Sequence, residues 1–364
     1  MRILLLGEYS NVHATLAKGL RTIGHQVTVA SNGDFWKNYP RDIDLRRHDG
    51  RLGGARLMLK TMSCLPRFTG YDVVQIINPL FLELKAQRIY PVYRWLRRFN
   101  RKMVMGAFGM DYYWVHECIA RKHLRYGDFN IGDQLRDTPE ARREIADWIG
   151  TPKAKLNQMI AADCDHIVTG LYEYHSCYEP LFPDKTTFIP YPIEMPENTA
   201  GPFPVPDKLR VFIGINKERS KYKGTDIMLE AAREVEAKYP ERMQVVVAES
   251  VPFAQYKEMV NGSHAILDQL YSYTPSMNPL MAMSKGIICI GGGEPENYEI
   301  LSCDDLRPIV NVQPTKESVH NELERLLMNL SEVPKLQRDS IEYVRRYHDH
   351  IHVARLYEQL YKKI

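Results

Sequence analysis

Positive charge gathered just before a helix is the feature of this sequence that carries most chemistry. Residues 213–225 read Ile-Gly-Ile-Asn-Lys-Glu-Arg-Ser-Lys-Tyr-Lys-Gly-Thr, so Arg219, Lys221 and Lys223 lie between an apolar run and a helix opening at Thr225. Backbone N–H groups at a helix start and the helix dipole add to such cations, which makes the corner an anion site. A departing nucleoside diphosphate needs that stabilisation as a glycosidic bond breaks. The same residues also read as a solvated charge run on a loop.

A second polar corner follows. Asp268 and Gln269 end an apolar strand, and Tyr273-Thr274-Pro275-Ser276-Met277-Asn278-Pro279 forms a turn that opens a helix. Ser276 or Asn278 can cap that helix, Pro279 suits its first position, and the N–H groups around Met277 can hold phosphate. Ordinary capping without a ligand is the alternative. In the first half, Gly7-Glu8-Tyr9-Ser10-Asn11 sits at the carboxyl end of the opening strand, where doubly wound sheets bind ligands. This makes Gly7, Ser10 and Asn11 candidates for donor binding.

From Arg94 to Lys102 the chain mixes cations with Trp95 and Phe99. Such a face offers peripheral contact with an anionic membrane or a lipid-diphosphate acceptor, and it also reads as a solvated helix end. Asp42-Ile43-Asp44 and Asp163-Cys164-Asp165 look like paired-aspartate metal motifs, but such tripeptides arise easily by chance. The twelve histidines show no metal-ligand spacing. With Arg219 and Lys223 facing the phosphates, neither a metal nor a cofactor is expected.

The elements that must position these residues alternate. Apolar runs at 3–6, 27–30, 73–77, 103–107, 166–169 and 187–189 read as strands. Val12, Leu16, Leu20 and Ile23 recur at helical spacing between the first two, with Ser10 or Asn11 as the cap. A proline-rich stretch follows, with Pro190, Pro192, Pro196, Pro202, Pro204 and Pro206, and it suits a hinge. The alternation then restarts, with strands at 210–213, 244–248, 265–267, 287–290 and 309–312. Helices are expected at 226–238, 253–260, 279–284, 297–301 and 316–329, and a closing helical segment at 336–362. The fold class is α/β, two doubly wound domains facing a cleft, at 1–200 and 201–344. A terminal helix from about 345 packs back on the first domain.

At 364 residues the chain is long for one core, and 44% hydrophobic and 26% charged residues are ordinary for a globular protein. A net charge of +3 does not point to nucleic acid. No apolar run reaches the length of a signal-peptide core or a membrane span. Six scattered cysteines without CxxC spacing fit a reducing cytoplasm.

The chain resembles the GT-B glycosyltransferases usually called family 4. The residues carrying the resemblance are Arg219 with Lys223-Gly224, then Leu280-Met281-Ala282-Met283-Ser284-Lys285-Gly286, then Gly291-Gly292-Gly293-Glu294-Pro295-Glu296. Residues 162–168 and Ile189-Pro190-Tyr191-Pro192-Ile193 also look like the family's end of the first domain. The resemblance implies a hexosyltransferase that moves a sugar from a nucleotide-diphosphate donor to a saccharide or lipid-linked acceptor, with retention and without metal. It implies that Arg219, Lys223 and Gly224 grip the diphosphate, and that Gly292, Gly293 and Glu296 position the sugar. Phe108-Gly109-Met110-Asp111 resembles the family's Gly-x-Asp turn, where Asp111 either orients the sugar or takes the acceptor proton; Asp111 also reads as a turn cap.

The family has two glutamates flanking the turn at 273–281, and here those positions hold Tyr273 and Met281, which cannot accept the same hydrogen bonds. A GT-B nucleotide-sugar 2-epimerase and a non-catalytic sugar-nucleotide-binding protein are the alternatives.

Overall fold

The structure, a computed structural model, describes residues 1–197, 201–216, 220–249, 251 and 253–364. The chain divides into two compact units. One comprises Met1–His123, Arg143–Pro192 and His350–Ile364; the other comprises Leu124–Arg142 and Ile193–Asp349.

The first unit opens with β1 (Arg2–Leu6), β2 (Gln26–Ser31), β3 (Ile43–Asp44), β4 (Val73–Ile76) and β5 (Lys102–Ala107). A hairpin of β6 (Asn130–Ile131) and β7 (Gln134–Leu135), which groups with the second unit, interrupts the series before β8 (His166–Thr169) and β9 (Thr186–Phe188). The seven strands run β3-β2-β1-β4-β5-β8-β9, all parallel. Ile3, Leu4, Leu5 and Leu6 are all buried, as a parallel sheet covered on both faces requires.

The second unit holds β10 (Leu209–Ile215), β11 (Met243–Glu249), β12 (Ala265–Leu267), β13 (Ile288–Gly291) and β14 (Val310–Asn311), in the parallel order β11-β10-β12-β13-β14. Its helix Thr225–Lys238 buries Met228, Ala231, Ala232 and Val235 along one stripe. That stripe packs with Val319, Leu323 and Leu326 of the helix Lys316–Met328.

In both sheets the chain first builds outward on one side of its opening strand and then crosses to the other. The strand order therefore reverses between β1 and β4, and again between β10 and β12. Ligands of doubly wound sheets bind at this reversal, outside the carboxyl ends of the strands.

Each strand expected from an apolar run is present. The closing helical segment is two helices, Val333–Tyr347 and His350–Lys363, broken where the His348 carbonyl accepts from Ile193 N–H at 2.7 Å. The division of the chain also differs from the expected boundary at residue 200. Compactness breaks at Pro192, and Leu124–Arg142 leaves the first unit because its side chains bond to residues beyond 220. Among the described residues no helix is long and apolar enough to cross a membrane.

The terminal helix His350–Lys363 packs on the helix Val12–Thr22 of its own unit. A Cβ added at Gly19 would lie 2.2 Å from the His350 carbonyl oxygen and 2.9 Å from Ala354 Cβ. Backbone cannot give way as a flexible side chain would. Gly19→Ala should therefore destabilise the first unit by about 1–3 kcal/mol through overpacking. Urea unfolding of the full chain checks this, and an unchanged midpoint would contradict the close packing of these two helices.

Candidate functional site

Three segments meet at the carboxyl edge of the second sheet, beside its reversal point. The first follows β10. Arg219 lies outside the described residues, so the structure carries no statement about it. Beyond it, the short turn Ser220–Lys223 runs into Gly224, whose φ of 73° needs glycine. A side chain there would also collide with Leu270, its Cβ only 2.6 Å from Leu270 Cβ. The Lys223 carbonyl accepts from Leu270 N–H at 3.0 Å, which ties this corner to the segment following β12.

That second segment holds Asp268 and Gln269. Burial pushes the Asp268 carboxyl up to about 6, while the charge of Lys223 and a hydrogen bond from Gln269 oppose the rise. Lys223 and Asp268 are thus electrostatic neighbours. Gln269 Nε2 lies 3.5 Å from Ser276 Oγ. The helix that follows is Met277–Met283, so Pro279 is its third residue and not its first. Ser276 stands at the cap position without a side-chain capping bond, and the Asn278 amide donates instead to the Tyr256 hydroxyl at 2.6 Å. Neither of the expected caps forms. Met281 lines a shallow pocket with Tyr256, Val260, Ile266, Asn278 and Lys285.

The third segment is the glycine-rich loop after β13. A Cβ at Gly292 would lie 2.3 Å from the Ser272 carbonyl, and one at Gly293 would lie 2.7 Å from Ile309. Glycine lets this loop press against residues 268–273. Glu294 is buried and accepts from Tyr126 Oη, Asn311 Nδ2 and Gln313 Nε2. Glu296 is held by both terminal nitrogens of Arg125, and one of these also reaches Glu294 at 2.7 Å. Tyr273 is buried; its hydroxyl accepts from Arg125 N–H at 2.7 Å, and its ring lies 4.9 Å from that of Tyr126.

Arg125, Tyr126 and Glu294 were not among the candidates read from the sequence. An Arg-Tyr pair in a polar stretch carries no pattern of its own, and its partners lie far along the chain.

In the first unit the loops after β1, β4 and β5 gather in the same way. Gly7 has φ 83°, and a Cβ on it would lie 2.3 Å from Ile77 Cγ2. Ser10 and Asn11 both take positive φ, 52° and 75°, a costly conformation for residues with a side chain. Neither makes the expected side-chain cap of the helix Val12–Thr22. Glu8 does, accepting from His13 N–H at 3.3 Å and Ala14 N–H at 2.8 Å. Ser10 N–H is turned instead toward Asp34, 2.8 Å away.

Burial pushes the Glu8 carboxyl up to about 8 against those two backbone bonds. It pushes the His13 imidazole down to about 3, so that ring is neutral, with Nδ1 2.9 Å from the Gly7 carbonyl.

Asp111 is fully buried. It caps the helix Tyr112–Ala120 through Trp114 N–H at 2.9 Å and accepts from the Tyr178 hydroxyl at 2.7 Å. Burial raises its carboxyl to about 7. These contacts favour the capping alternative over contact with an acceptor.

The paired aspartates are structural. Asp42 accepts from Val29 N–H and from Arg21, Asp163 accepts from Tyr93, and Asp165 accepts from Arg97 and Met103 N–H. The stretch from Arg94 to Lys102 comprises the last six residues of the helix Ala86–Phe99, the bend after it and the first residue of β5. Arg94 and Arg98 are exposed there, while Arg97 is committed to Asp165.

No family model matches the chain, and no curated protein matches it by sequence. Solved structures do. Sucrose-phosphate synthase from Thermosynechococcus elongatus has a TM-score of 0.64 at 14% identity, over 100% of this chain and 98% of that one. Anabaena HepE in complex with UDP and glucose gives 0.61 at 10% identity, over 100% and 99%. UDP-GlcNAc 2-epimerase from Neisseria meningitidis bound to UDP-GlcNAc gives 0.52 at 10% identity, over 100% of both chains. The fold is GT-B, built of two Rossmann-like units.

The raised carboxyls of Glu8 and Asp111 set a pH dependence. Their folded values, about 8 and about 7, lie above the ordinary ones, so the folded chain keeps protons that the unfolded chain has already lost. Their contribution is full below about pH 4 and is lost as pH rises to about 8. Thermal melts from pH 5 to 8 should show Glu8→Gln with a shallower decline than wild type. Parallel curves would rule out this titration.

Proposed function

We propose that this protein is a glycosyltransferase that takes a sugar from a nucleotide-diphosphate donor. The observation that supports it best is the meeting of Lys223-Gly224, Asp268–Gln269 and Gly291–Glu296 at the carboxyl edge, where β10 and β12 part. In this reading Lys223, with Arg219 four residues before it in the sequence, faces the diphosphate and stabilises it as it departs. Gly224, Ser276, Met277 and Asn278 line its path. Gly292 and Gly293 let the donor approach backbone closely, and Glu296 faces the sugar.

Tyr273 replaces the family's sugar-binding carboxylate, and Glu294 and Glu296 supply carboxylates from the neighbouring loop. The first unit takes the acceptor, a saccharide or a lipid-linked one, beside Gly7, Ser10 and Asn11. Arg94 and Arg98 offer peripheral contact with an anionic membrane. Transfer proceeds with retention by front-face departure of the diphosphate, without a catalytic metal. Closing the site against water favours transfer over hydrolysis.

The epimerase likeness favours one second reading, a nucleotide-sugar 2-epimerase. The two differ in what they need: an epimerase turns over a nucleotide sugar alone, whereas a transferase releases nucleotide in step with an acceptor.

A thermal-shift screen against UDP, GDP, ADP and CMP identifies the nucleotide, because a ligand of the folded state raises the melting temperature. With the matching donor and an acceptor panel, Lys223→Ala should lower transfer about 100- to 1000-fold, the size of loss seen when one such charge-stabilising group is removed. Transfer by the variant at the wild-type rate would refute the diphosphate assignment. Epimer formed without acceptor would favour the second reading.

A further inference from the structure

Residues 124–142 stand in the chain between elements of the first unit, yet they fold as part of the second. They are ordered from within. Tyr126 bridges to Ile131, β6 pairs with β7, and the buried Asn130 amide donates to the carbonyls of Leu124 and Gly132. This strap touches all three segments of the donor corner. Arg136 stacks on the Tyr271 ring at 3.6 Å and donates to the Lys221 carbonyl at 2.9 Å, beside the diphosphate turn. Tyr126 packs on Tyr273. Arg125 lies over the Tyr273 ring and grips Glu294 and Glu296 in the glycine-rich loop.

The charges explain why a cation belongs there. Hydrogen bonds from Tyr126, Asn311 and Gln313, with the charge of Arg125, outweigh burial and keep the Glu294 carboxyl below its ordinary range. Glu294 is therefore ionised at neutral pH. A loop carrying that carboxylate and Glu296 would repel the phosphates of a nucleotide diphosphate unless a positive charge offsets it. Arg125 is suited to this, because its planar fork meets Glu296 with both terminal nitrogens and leaves one also within reach of Glu294.

We infer that the strap is a working part of the donor site, and that Arg125 is a positioning residue which offsets the charge of Glu294 and Glu296 so that an anionic nucleotide can settle beside them. The inference rests on the nucleotide-sugar reading above. The strap completes a site that the missing carboxylates at 273 and 281 leave unlike that of the family it resembles.

Calorimetry with whichever of UDP, GDP, ADP and CMP the wild-type chain binds best tests this. Arg125→Ala should weaken binding about tenfold, since its side chain is half exposed and solvent screens part of the interaction. Adding Glu294→Gln and Glu296→Gln to that variant should restore binding to within about threefold of wild type, which a purely structural role of Arg125 would not produce. In the wild-type background the two glutamine substitutions alone should tighten binding, because Arg125 is then unpaired. Urea midpoints show which variants fold.

If Arg125→Ala does not fold, the Glu294→Gln/Glu296→Gln protein decides: tighter binding supports the inference, and equal or weaker binding overturns it. Arg125→Ala that folds and binds as well as wild type, or better, also overturns it, and better binding would make the strap a cover over the site. If the wild-type chain binds none of the four nucleotides, the nucleotide-sugar reading itself fails and this inference goes with it.

Discussion

A parallel sheet covered on both faces leaves one place for polar chemistry, its carboxyl edge, and both units of this protein obey that constraint. The central strands β1, β4, β5, β12 and β13 are mostly apolar and buried between neighbouring strands. Side chains able to bind or react therefore gather in the loops that leave the strands. The chain crosses from one side of the sheet to the other between β1 and β4, and between β10 and β12, and there the loops part and leave space. The donor and acceptor sites proposed for this molecule sit at those two openings.

Glycine sets how close the loops come. At Gly224 a positive φ and the nearness of Leu270 both forbid a side chain, so the turn carrying Lys223 is drawn down onto the segment after β12. Gly292 does the same for the loop after β13, which lies against the Ser272 carbonyl. The outcome is one compact corner where backbone is within reach of a ligand. Lys223 stands near Asp268 there, and Arg125 is paired with Glu294 and Glu296.

That mixture of charges is the feature that most separates this corner from the pattern it resembles. Where the family places carboxylates, the turn presents Tyr273, buried beneath Tyr126 and Arg125, and Met281 in an apolar pocket wall. Carboxylates appear one loop later, at Glu294 and Glu296, together with an arginine that offsets them. The first unit shows a related economy. Glu8 and Asp111 are both buried, both spend oxygens on helix N-termini, and burial raises both carboxyls.

Local patterns alone settled the longer strands, the helix Val12–Thr22 and the main helices of the second unit, because apolar runs and helical spacing depend on neighbouring residues. A lone glycine in a turn is common, and it was the positive φ and close contacts of Gly7 and Gly224 that showed both positions to need glycine. Tertiary structure decided the rest. Ser10 and Asn11 look like caps, but Glu8 reaches the amides first, and Asn278 is drawn away to Tyr256. Asp111 could be read two ways until Tyr178 closed on it from 67 residues away. The strap shows the limit most clearly. Arg125 meets Glu294 across 169 residues, and Arg136 meets Lys221 across 85. No window of sequence contains both partners of such a pair, so only the folded chain could assign these residues to the second unit.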